Sequence, residues 1–291
     1  MLPEQSPSSV QSIGRERGGV ATTLWDALRL FLTLSIWLAV GSVLMVAVTA
    51  MALGVSLESL GWGLYLPAFV VYAVYVRDRR VVSDDDWLNH PIRSRLVTRY
   101  AGPLQATELV AVIAYEGLLI ASLPLHRSDG LVALAVAHLP FVVLAVYLQL
   151  KAVPVLDSLA VAVAWSSLII STVVAVGDAG LSASVGVAFL AWTLVVFAGV
   201  ESRNVGDVVG DQQVDHGTLA SRLGAVRTRL FVVGAKASGA GLLWVVGGRG
   251  VVILLGCYFV YLWGFRRLTA AARTAGRLPR LLDRQTGDTY R

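Results

Sequence analysis

The chain has 291 residues, of which 56% are hydrophobic and only 15% are charged, whereas an average soluble domain has about 25% charged residues. A soluble domain of this size could not bury so much apolar surface, and the composition also excludes a disordered chain. Because there is one cysteine, a disulfide scaffold is excluded as well. The sequence predicts an integral membrane protein.

Eight apolar segments follow one another along the chain, most of them close to the length of about 20 residues that a membrane-spanning helix needs. They lie at 30–53, 60–76, 106–124, 130–149, 156–177, 181–200, 229–246 and 250–265. The predicted fold class is therefore all-α, a polytopic bundle of about eight transmembrane helices. We expect a polar cytoplasmic tail (1–25), a transmembrane domain (26–267) and a basic cytoplasmic tail (268–291).

The basic residues are distributed unevenly between the two sides of these segments. If the N-terminus is inside, 21 of the 24 Lys and Arg residues fall on the inner side, Arg127 and Arg249 fall outside, and Lys236 lies within a span. This asymmetry predicts a multi-pass protein of the cell membrane with both termini cytoplasmic. No zinc spacing or RNA-binding motif accompanies the net charge of +5, so we expect no nucleic-acid partner.

Two inner segments are longer than the other connections and contain both acidic and basic residues. Segment 77–100 follows the second span, and segment 201–228 follows the sixth. Their matching positions predict two four-helix halves with the same orientation, and parallel repeats of this kind often place a site between the halves.

Both segments contain acidic residues at helical spacing. In the first, Asp85 and Asp86 follow Asp78 by seven and eight residues; in the second, Asp211 follows Asp207 by four. Such spacing places the carboxylates of each segment on one helix face, where they repel one another. A divalent cation would reverse that penalty, and Mg²⁺ prefers carboxylate and phosphate oxygens. Two such faces could hold a diphosphate between them.

The two segments resemble the aspartate-rich motifs of the UbiA family of intramembrane prenyltransferases. The second family motif is approximately D-x-x-G-D-x-x-x-x-x-x-T-L, and the chain matches it at Asp207, Gly210, Asp211, Thr218 and Leu219. The first is approximately N-x-x-x-D-x-x-x-D-x-x-N-x-P-x-R, and the chain matches its final part at Asp86, Asn89, Pro91 and Arg93. The resemblance covers nearly the whole chain in span order.

The resemblance implies Mg²⁺-dependent transfer of an isoprenoid chain from a polyprenyl diphosphate, such as geranylgeranyl diphosphate, to a hydrophobic, aromatic or lipid acceptor in the membrane. The implied metal ligands are Asp78, Asp86, Asp207 and Asp211, with Asp85 as a further catalytic carboxylate. The implied substrate-binding residues are Arg93 and Arg77 (or Arg79) for phosphate oxygens, and Asn89 and Asn204 for orientation.

The first motif departs from the family pattern at two positions. Asp78 stands where the family has its opening Asn, and Asp78 is still a suitable oxygen ligand. Val82 stands where the family has its middle Asp and cannot bind a metal, so Asp85, about one turn beyond, is the expected substitute. Family members usually have nine spans, whereas eight are predicted here.

Two other functions stay open at this stage. Val82 favours a non-catalytic family member that binds an isoprenoid diphosphate or assists a partner enzyme. Lys236 and Glu116 lie inside predicted spans, where charges tend to face a cavity or a partner, and they favour a small-solute carrier in which they pair or line a cavity. We expect His138 to be a hydrogen-bonded packing residue and the small residues around Gly239 to permit close helix packing.

Overall fold

The computed structural model describes residues 20–82, 91–123, 128–150, 153, 155–177, 179–213 and 218–275, and among them it contains helices and connections but no strand. The longer helices are α1 (Val20–Thr33), α2 (Trp37–Ala52), α4 (Leu66–Arg80), α5 (Pro91–Arg99), α6 (Ala101–Ser122), α7 (Ser128–Ala137), α8 (Leu139–Leu150), α9 (Leu156–Ser171), α10 (Ala183–Gln213) and α12 (Ala225–Ala275). Two short helices are α3 (Leu57–Leu60) and α11 (Leu219–Leu223); a 3-10 turn (Gly61–Tyr65) leads into α4, and a π-helical turn (Thr172–Val176) follows α9. The predicted all-α fold class is confirmed.

The described residues contain six helices that are long and apolar enough to cross a membrane, and a bent helix pair makes a seventh. The six are Leu57–Arg80, Ala101–Ser122, Gly130–Tyr147, Leu156–Val176, Ala183–Gly206 and Ala225–Ala271. The last has 47 residues, so a straight helix would extend about 70 Å, more than twice the hydrocarbon thickness. Gly248, with φ 64° and ψ −155°, breaks it into two helices, at the boundary between the predicted spans 229–246 and 250–265. The number of eight spans stays a prediction.

The first predicted span, 30–53, is not one straight helix. α1 and α2 meet at an angle of 54°, and Ser35 between them has φ 60°. The bend places Leu34 in a fully buried position against Val76 and Val97. A continuous apolar segment gave no sign of this break, because the bend is made by tertiary packing. α1 begins at Val20 and α12 ends at Ala275, so helix extends beyond both boundaries of the predicted domain 26–267, which stays a prediction.

The helices of the second half pack closely because of a glycine. A Cβ atom added at Gly239 of α12 would lie 2.6 Å from the carbonyl oxygen of Ala191 in α10, so only glycine permits this approach. The same two helices bury Ala198 against Ala235. The predicted close packing of this small-residue segment is confirmed.

The order of elements repeats between the two halves of the chain. In each half the second span, α4 or α10, is followed by a connection and a short helix, α5 or α11, and then by the third span, α6 or α12. α4 and α10 terminate at the same end of the bundle, since Arg203 near the end of α10 contacts Tyr75 near the end of α4. We call this end of the bundle, beyond Tyr75 and Arg203, the motif end.

Candidate functional site

The last turns of α4 contact α10 at Arg203, at the motif end. The guanidinium carbon of Arg203 lies 5.3 Å from the centre of the Tyr75 ring. Asp78 follows Tyr75 by about one helical turn, and the backbone of α10 places Asp207 about one turn beyond Arg203. The structure describes the backbone of Asp207 and Asp211, and their side chains lie outside its described part.

A cavity separates these two helix ends. It has a volume of about 610 Å³, including the part open to solvent, and its polar lining residues are Asp78 and Arg79 of α4, Tyr147 of α8 and Arg203 of α10. Trp165 of α9 lies beside them and stacks on Tyr75, with ring centres 6.2 Å apart and an interplanar angle of 10°. We call this space the motif cavity. It joins a carboxylate, two arginines and three aromatic rings from four helices.

Asp78 is paired with its neighbour in this cavity. Nε of Arg79 lies 3.3 Å from Oδ2 of Asp78, and the Asp78 side chain remains about one-third exposed. Asp78 therefore presents a partly exposed carboxylate to the motif cavity beside a positive charge.

A second cavity adjoins the motif cavity and shares Tyr75, Trp165, Val200 and Arg203 with it. Its volume is about 670 Å³, including its open part, and the basic residues Arg203, Lys236 and Arg266 line it together with Trp37 and Tyr258. We call this space the basic cavity. The two cavities therefore adjoin each other, with Tyr75 and Trp165 in the wall between them.

Comparison with solved structures shows which known fold this architecture resembles. A UbiA homologue from Archaeoglobus fulgidus bound to DMAPP and Mg²⁺ matches with a TM-score of 0.56 and 16% identity, covering 87% of this chain and 98% of that one. The structure of a UbiA homologue from the same organism bound to GPP and Mg²⁺ matches over the same shares with a TM-score of 0.52 and 16% identity. The protein has the UbiA fold. No protein-family model and no curated protein sequence matches the chain.

Within this UbiA fold, the three arginines at the end of α4 have different surroundings: Arg77 and Arg80 contact Glu108, whereas Arg79 lines the motif cavity. Arg80 forms a bidentate contact with Oε2 of Glu108 in α6, at 3.1 Å from Nε and 2.9 Å from Nη2. Arg77 lies 3.8 Å from the other oxygen of Glu108. Arg79 lines the motif cavity, whereas Arg77 is not among its lining residues. The position of Arg79 therefore suits phosphate binding better than that of Arg77.

Of the other predicted residues of the first motif, the structure describes Arg93 but not Asp85, Asp86 or Asn89. Arg93 is buried on α5 with 5% of its surface exposed, and α5 packs against α1, α4 and α6 at the motif end. Asp85, Asp86 and Asn89 lie outside the described residues. Their predicted roles stay predictions.

Val82 belongs to an apolar cluster at the motif end. It packs against the buried residues Leu34, Val76, Val97 and Leu104, which come from four parts of the UbiA fold. The position where the resemblance expects an aspartate is thus used to hold the segment after α4 against the bundle. An apolar contact therefore stands here where the family pattern has a metal ligand.

Asn204 is held in a buried polar network that the sequence analysis did not find. Its Nδ2 donates to Oγ of Ser158 in α9 and to Oε1 of Glu201, both at 3.4 Å. Glu201 is fully buried, and Asp157 is 6% exposed. In the sequence Glu201 is the first residue of the polar segment 201–228 and directly follows the predicted span 181–200, but α10 continues through it. These hydrogen bonds hold the Asn204 side chain toward α9, next in sequence to Arg203 of the motif cavity.

The charges inside the spans do not pair with each other. Glu116 contacts His138, whose Nε2 lies 3.1 Å from Oε1, while Nδ1 of His138 lies 2.7 Å from the carbonyl oxygen of Leu134. The expected hydrogen-bonded packing role of His138 is confirmed. Lys236 instead lines the basic cavity. Of the two alternatives for Lys236, the structure supports the cavity-lining one.

Proposed function

We propose that the protein is an intramembrane prenyltransferase that binds an isoprenoid diphosphate at the motif end and transfers its isoprenoid chain to an acceptor in the adjoining basic cavity. The observation that carries this proposal is the motif cavity, because Asp78 of the first motif segment and Arg203 of the second line one space. The solved structures with this fold are described as bound to DMAPP or GPP and Mg²⁺, which supports the same class of donor here.

The residues present fit a magnesium ion. Asp78 offers a carboxylate oxygen to the motif cavity, and the α10 backbone carries Asp207 and Asp211 one and two turns beyond Arg203. Oxygen donors of this kind suit Mg²⁺, which keeps part of its shell for water and phosphate. Asp78, Asp86, Asp207 and Asp211 would hold it, with Asp85 as the substitute for the position of Val82. When bound, Mg²⁺ supplies charge neutralisation at the leaving diphosphate.

The arginines of the motif cavity bind and orient the diphosphate. Guanidinium groups donate in pairs to phosphate oxygens, and Arg79 and Arg203 approach the cavity from opposite helices. In the transfer, the bond between C1 of the isoprenoid chain and the diphosphate oxygen breaks, and its electron pair leaves with the diphosphate. The acceptor nucleophile forms the new bond to C1 and loses a proton. Arg203 and Arg79 stabilise the charge that develops on the diphosphate.

The aromatic wall of the cavity, Tyr75 and Trp165, would stabilise the allylic cation that this cleavage leaves on the isoprenoid chain. Tyr75 and Trp165 stack beside the charged lining residues, and aromatic faces attract cationic carbon as they attract other cations. The isoprenoid chain would lie along Val74, Leu144 and Val161, the apolar lining of the same cavity. This apolar lining would shield the allylic cation from water once the chain is bound and would favour the acceptor as its nucleophile.

The charge asymmetry of the loops supports the proposed location in the cell membrane with both termini and the motif end cytoplasmic. The diphosphate group of the donor would reach the motif cavity from that side, and a hydrophobic, aromatic or lipid acceptor would enter from the membrane. The second candidate function is a non-catalytic protein that binds the same donor, and the packing of Val82 in an apolar cluster favours it.

The experiment is binding of geranylgeranyl diphosphate to the purified protein in nanodiscs, with Mg²⁺ and with EDTA. We expect binding that requires Mg²⁺ and falls by at least about tenfold in an Asp207→Asn, Asp211→Asn variant. Glu58→Gln is the control, because Glu58 is exposed in α3, away from the motif end. Absence of Mg²⁺-dependent binding defeats the proposal; binding without transfer to any acceptor supports the non-catalytic candidate.

A further inference from the structure

One buried carboxyl group lies in α10 just before the second motif, and the proposed transfer does not use it. This group belongs to Glu201, whose side chain is fully buried. Glu201 is not among the described lining residues of the motif cavity or the basic cavity. Burial of a carboxyl group is costly unless polar neighbours compensate it. Glu201 therefore acts on the groups that surround it rather than on a substrate.

Toward the start of the second motif, Glu201 holds Asn204. Nδ2 of Asn204 donates to Oε1 of Glu201 and to Oγ of Ser158, both at 3.4 Å. Ser158 is fully buried near the start of α9, and its hydroxyl donates to Oδ1 of Asp157 at 3.5 Å. Asn204 lies three residues before Asp207. The helix that carries the predicted metal ligands is thus tied to α9 immediately before the first of them.

Glu201 also faces the residues at which the second motif ends. The backbone N–H of Leu219 approaches its carboxyl group, and Oε2 of that group has no hydrogen-bond partner among the described residues. Leu219 is the first residue of α11, after the N-cap Thr218, which is 3% exposed. Because the first N–H groups of a helix have no partner within it, the N–H of Leu219 needs an acceptor from outside α11. The carboxyl group of Glu201 lies where it can serve.

One carboxyl group thus adjoins the chain before the second motif, at Asn204, and at its end, at Leu219. We propose that Glu201 is a positioning residue that holds both ends of the second motif and thereby sets the affinity of the site for Mg²⁺. This inference rests on the proposed function. It adds a residue that acts through the metal ligands and touches neither the metal nor the diphosphate.

Anchoring of the second motif matters because Asp207 and Asp211 carry like charges on one helix face, where they repel each other. In a chain without the anchor, this repulsion favours fraying of the end of α10, and Mg²⁺ must restore the helix before it can bind both carboxylates. The cost of that ordering lowers the affinity. Residues that orient metal ligands typically change metal affinity by about 10–100-fold when they are removed.

The test is a Mg²⁺ titration of geranylgeranyl diphosphate binding to the purified protein in nanodiscs. In Glu201→Leu we expect the Mg²⁺ concentration at half-maximal binding to rise by about tenfold, while binding at saturating Mg²⁺ is retained. A loss of folded protein alone would lower the maximum and leave this midpoint unchanged. The midpoint therefore separates positioning from stability, and an unchanged midpoint in Glu201→Leu overturns the inference.

Two further variants examine the contact with Asn204. Glu201→Gln keeps a side-chain oxygen for the Asn204 amide, so its midpoint should lie within about threefold of that of the unaltered protein. Ser158→Ala removes the other acceptor of the same amide and should raise the midpoint by about threefold. If Glu201→Leu does not fold, Ser158→Ala decides, and an unchanged midpoint in that variant overturns the inference.

Gly239→Ala is the matched control for lost stability. It disturbs the contact of α12 with Ala191 in α10, 16 residues before Asp207, and should leave the midpoint unchanged. Equal shifts in Gly239→Ala and Glu201→Leu overturn the inference. If the unaltered protein shows no Mg²⁺-dependent binding, the proposed function and the inference are both wrong; if it binds and only the expected shift in Glu201→Leu is missing, the inference alone is wrong.

Discussion

The guanidinium carbon of Arg203 lies 5.3 Å from the centre of the Tyr75 ring, and this contact joins the two halves of the candidate site. Tyr75 lies one turn before Asp78, and Arg203 lies one turn before Asp207. Trp165 stacks on the same tyrosine. The positions of both motif segments therefore depend on one aromatic ring, which also forms part of the wall between the motif cavity and the basic cavity.

The first prediction concerns that ring. Tyr75→Leu removes the aromatic face from Arg203 and from Trp165, and we expect kcat/KM for the donor to fall by about tenfold, because a desolvated cation–π contact contributes up to about 2 kcal/mol. Tyr75→Phe keeps the face and should remain within about twofold of the unaltered protein, a difference close to the limit of a kinetic comparison. Steady-state transfer kinetics check both. Equal losses in the two variants would show that the hydroxyl, not the ring face, is required.

The second prediction concerns the buried network around Asn204. Glu201→Leu removes one of the two acceptors of the Asn204 amide and should lower the free energy of unfolding by about 1–3 kcal/mol. Glu201→Gln keeps a side-chain oxygen for that amide and should cost less. Thermal unfolding in detergent measures both variants beside Glu58→Leu, a change at an exposed position. If Glu201→Leu is as stable as Glu58→Leu, the network does not stabilise the fold.

The third prediction concerns the contact between α10 and α12. Gly239→Ala places a methyl group 2.6 Å from the carbonyl oxygen of Ala191, so the helices must separate, at a cost of about 1–3 kcal/mol. Gly241→Ala is the matched control two residues further along the same helix, where an added Cβ meets no atom within 4 Å. Because alanine favours helix over glycine, the control should be as stable as the unaltered protein or more so. Equal unfolding temperatures for the two variants would contradict the close approach.

The sequence predicts the spans well because each is a long apolar run bounded by polar residues, and that pattern depends on the membrane alone. It does not predict the bend at Ser35, since the residues on both sides are apolar and the break serves the burial of Leu34. It also does not predict the contacts of Arg266, which directly follows the last predicted span in the sequence and donates to Gly199 and Ser202 in the structure.

In the candidate site, too, features that depend on local sequence are predictable and features that depend on helix packing are not. The spacing of Asp207 and Asp211 identifies a helix face from local sequence, because side chains four residues apart are neighbours on any helix. The roles of Tyr75 and Trp165 depend on which helices pack together. Tyrosine and tryptophan are common in membrane spans, so the sequence alone does not mark these two residues as part of a site. Lys236 was noticeable as a charge within a span, but its cavity is made by residues from distant segments.

The last prediction tests whether Val82 marks a lost metal ligand. Val82 packs against Leu34 and Val97 in an apolar cluster, so Val82→Asp would place a carboxylate against buried apolar side chains. We expect a loss of about 1–2 kcal/mol in the free energy of unfolding and no gain in transfer. Thermal unfolding and transfer from geranylgeranyl diphosphate, measured on one preparation, check both parts.

Val81→Asp is the control for that experiment, because Val81 is 63% exposed at the adjacent position. It adds the same charge to the same segment without disturbing the cluster, so its unfolding temperature should be unchanged. A rise in transfer by Val82→Asp, with stability equal to that of Val81→Asp, would mean that the side chain can turn toward the motif cavity and supply the missing carboxylate. The apolar packing of Val82 would then reflect the loss of a ligand rather than a structural requirement for valine.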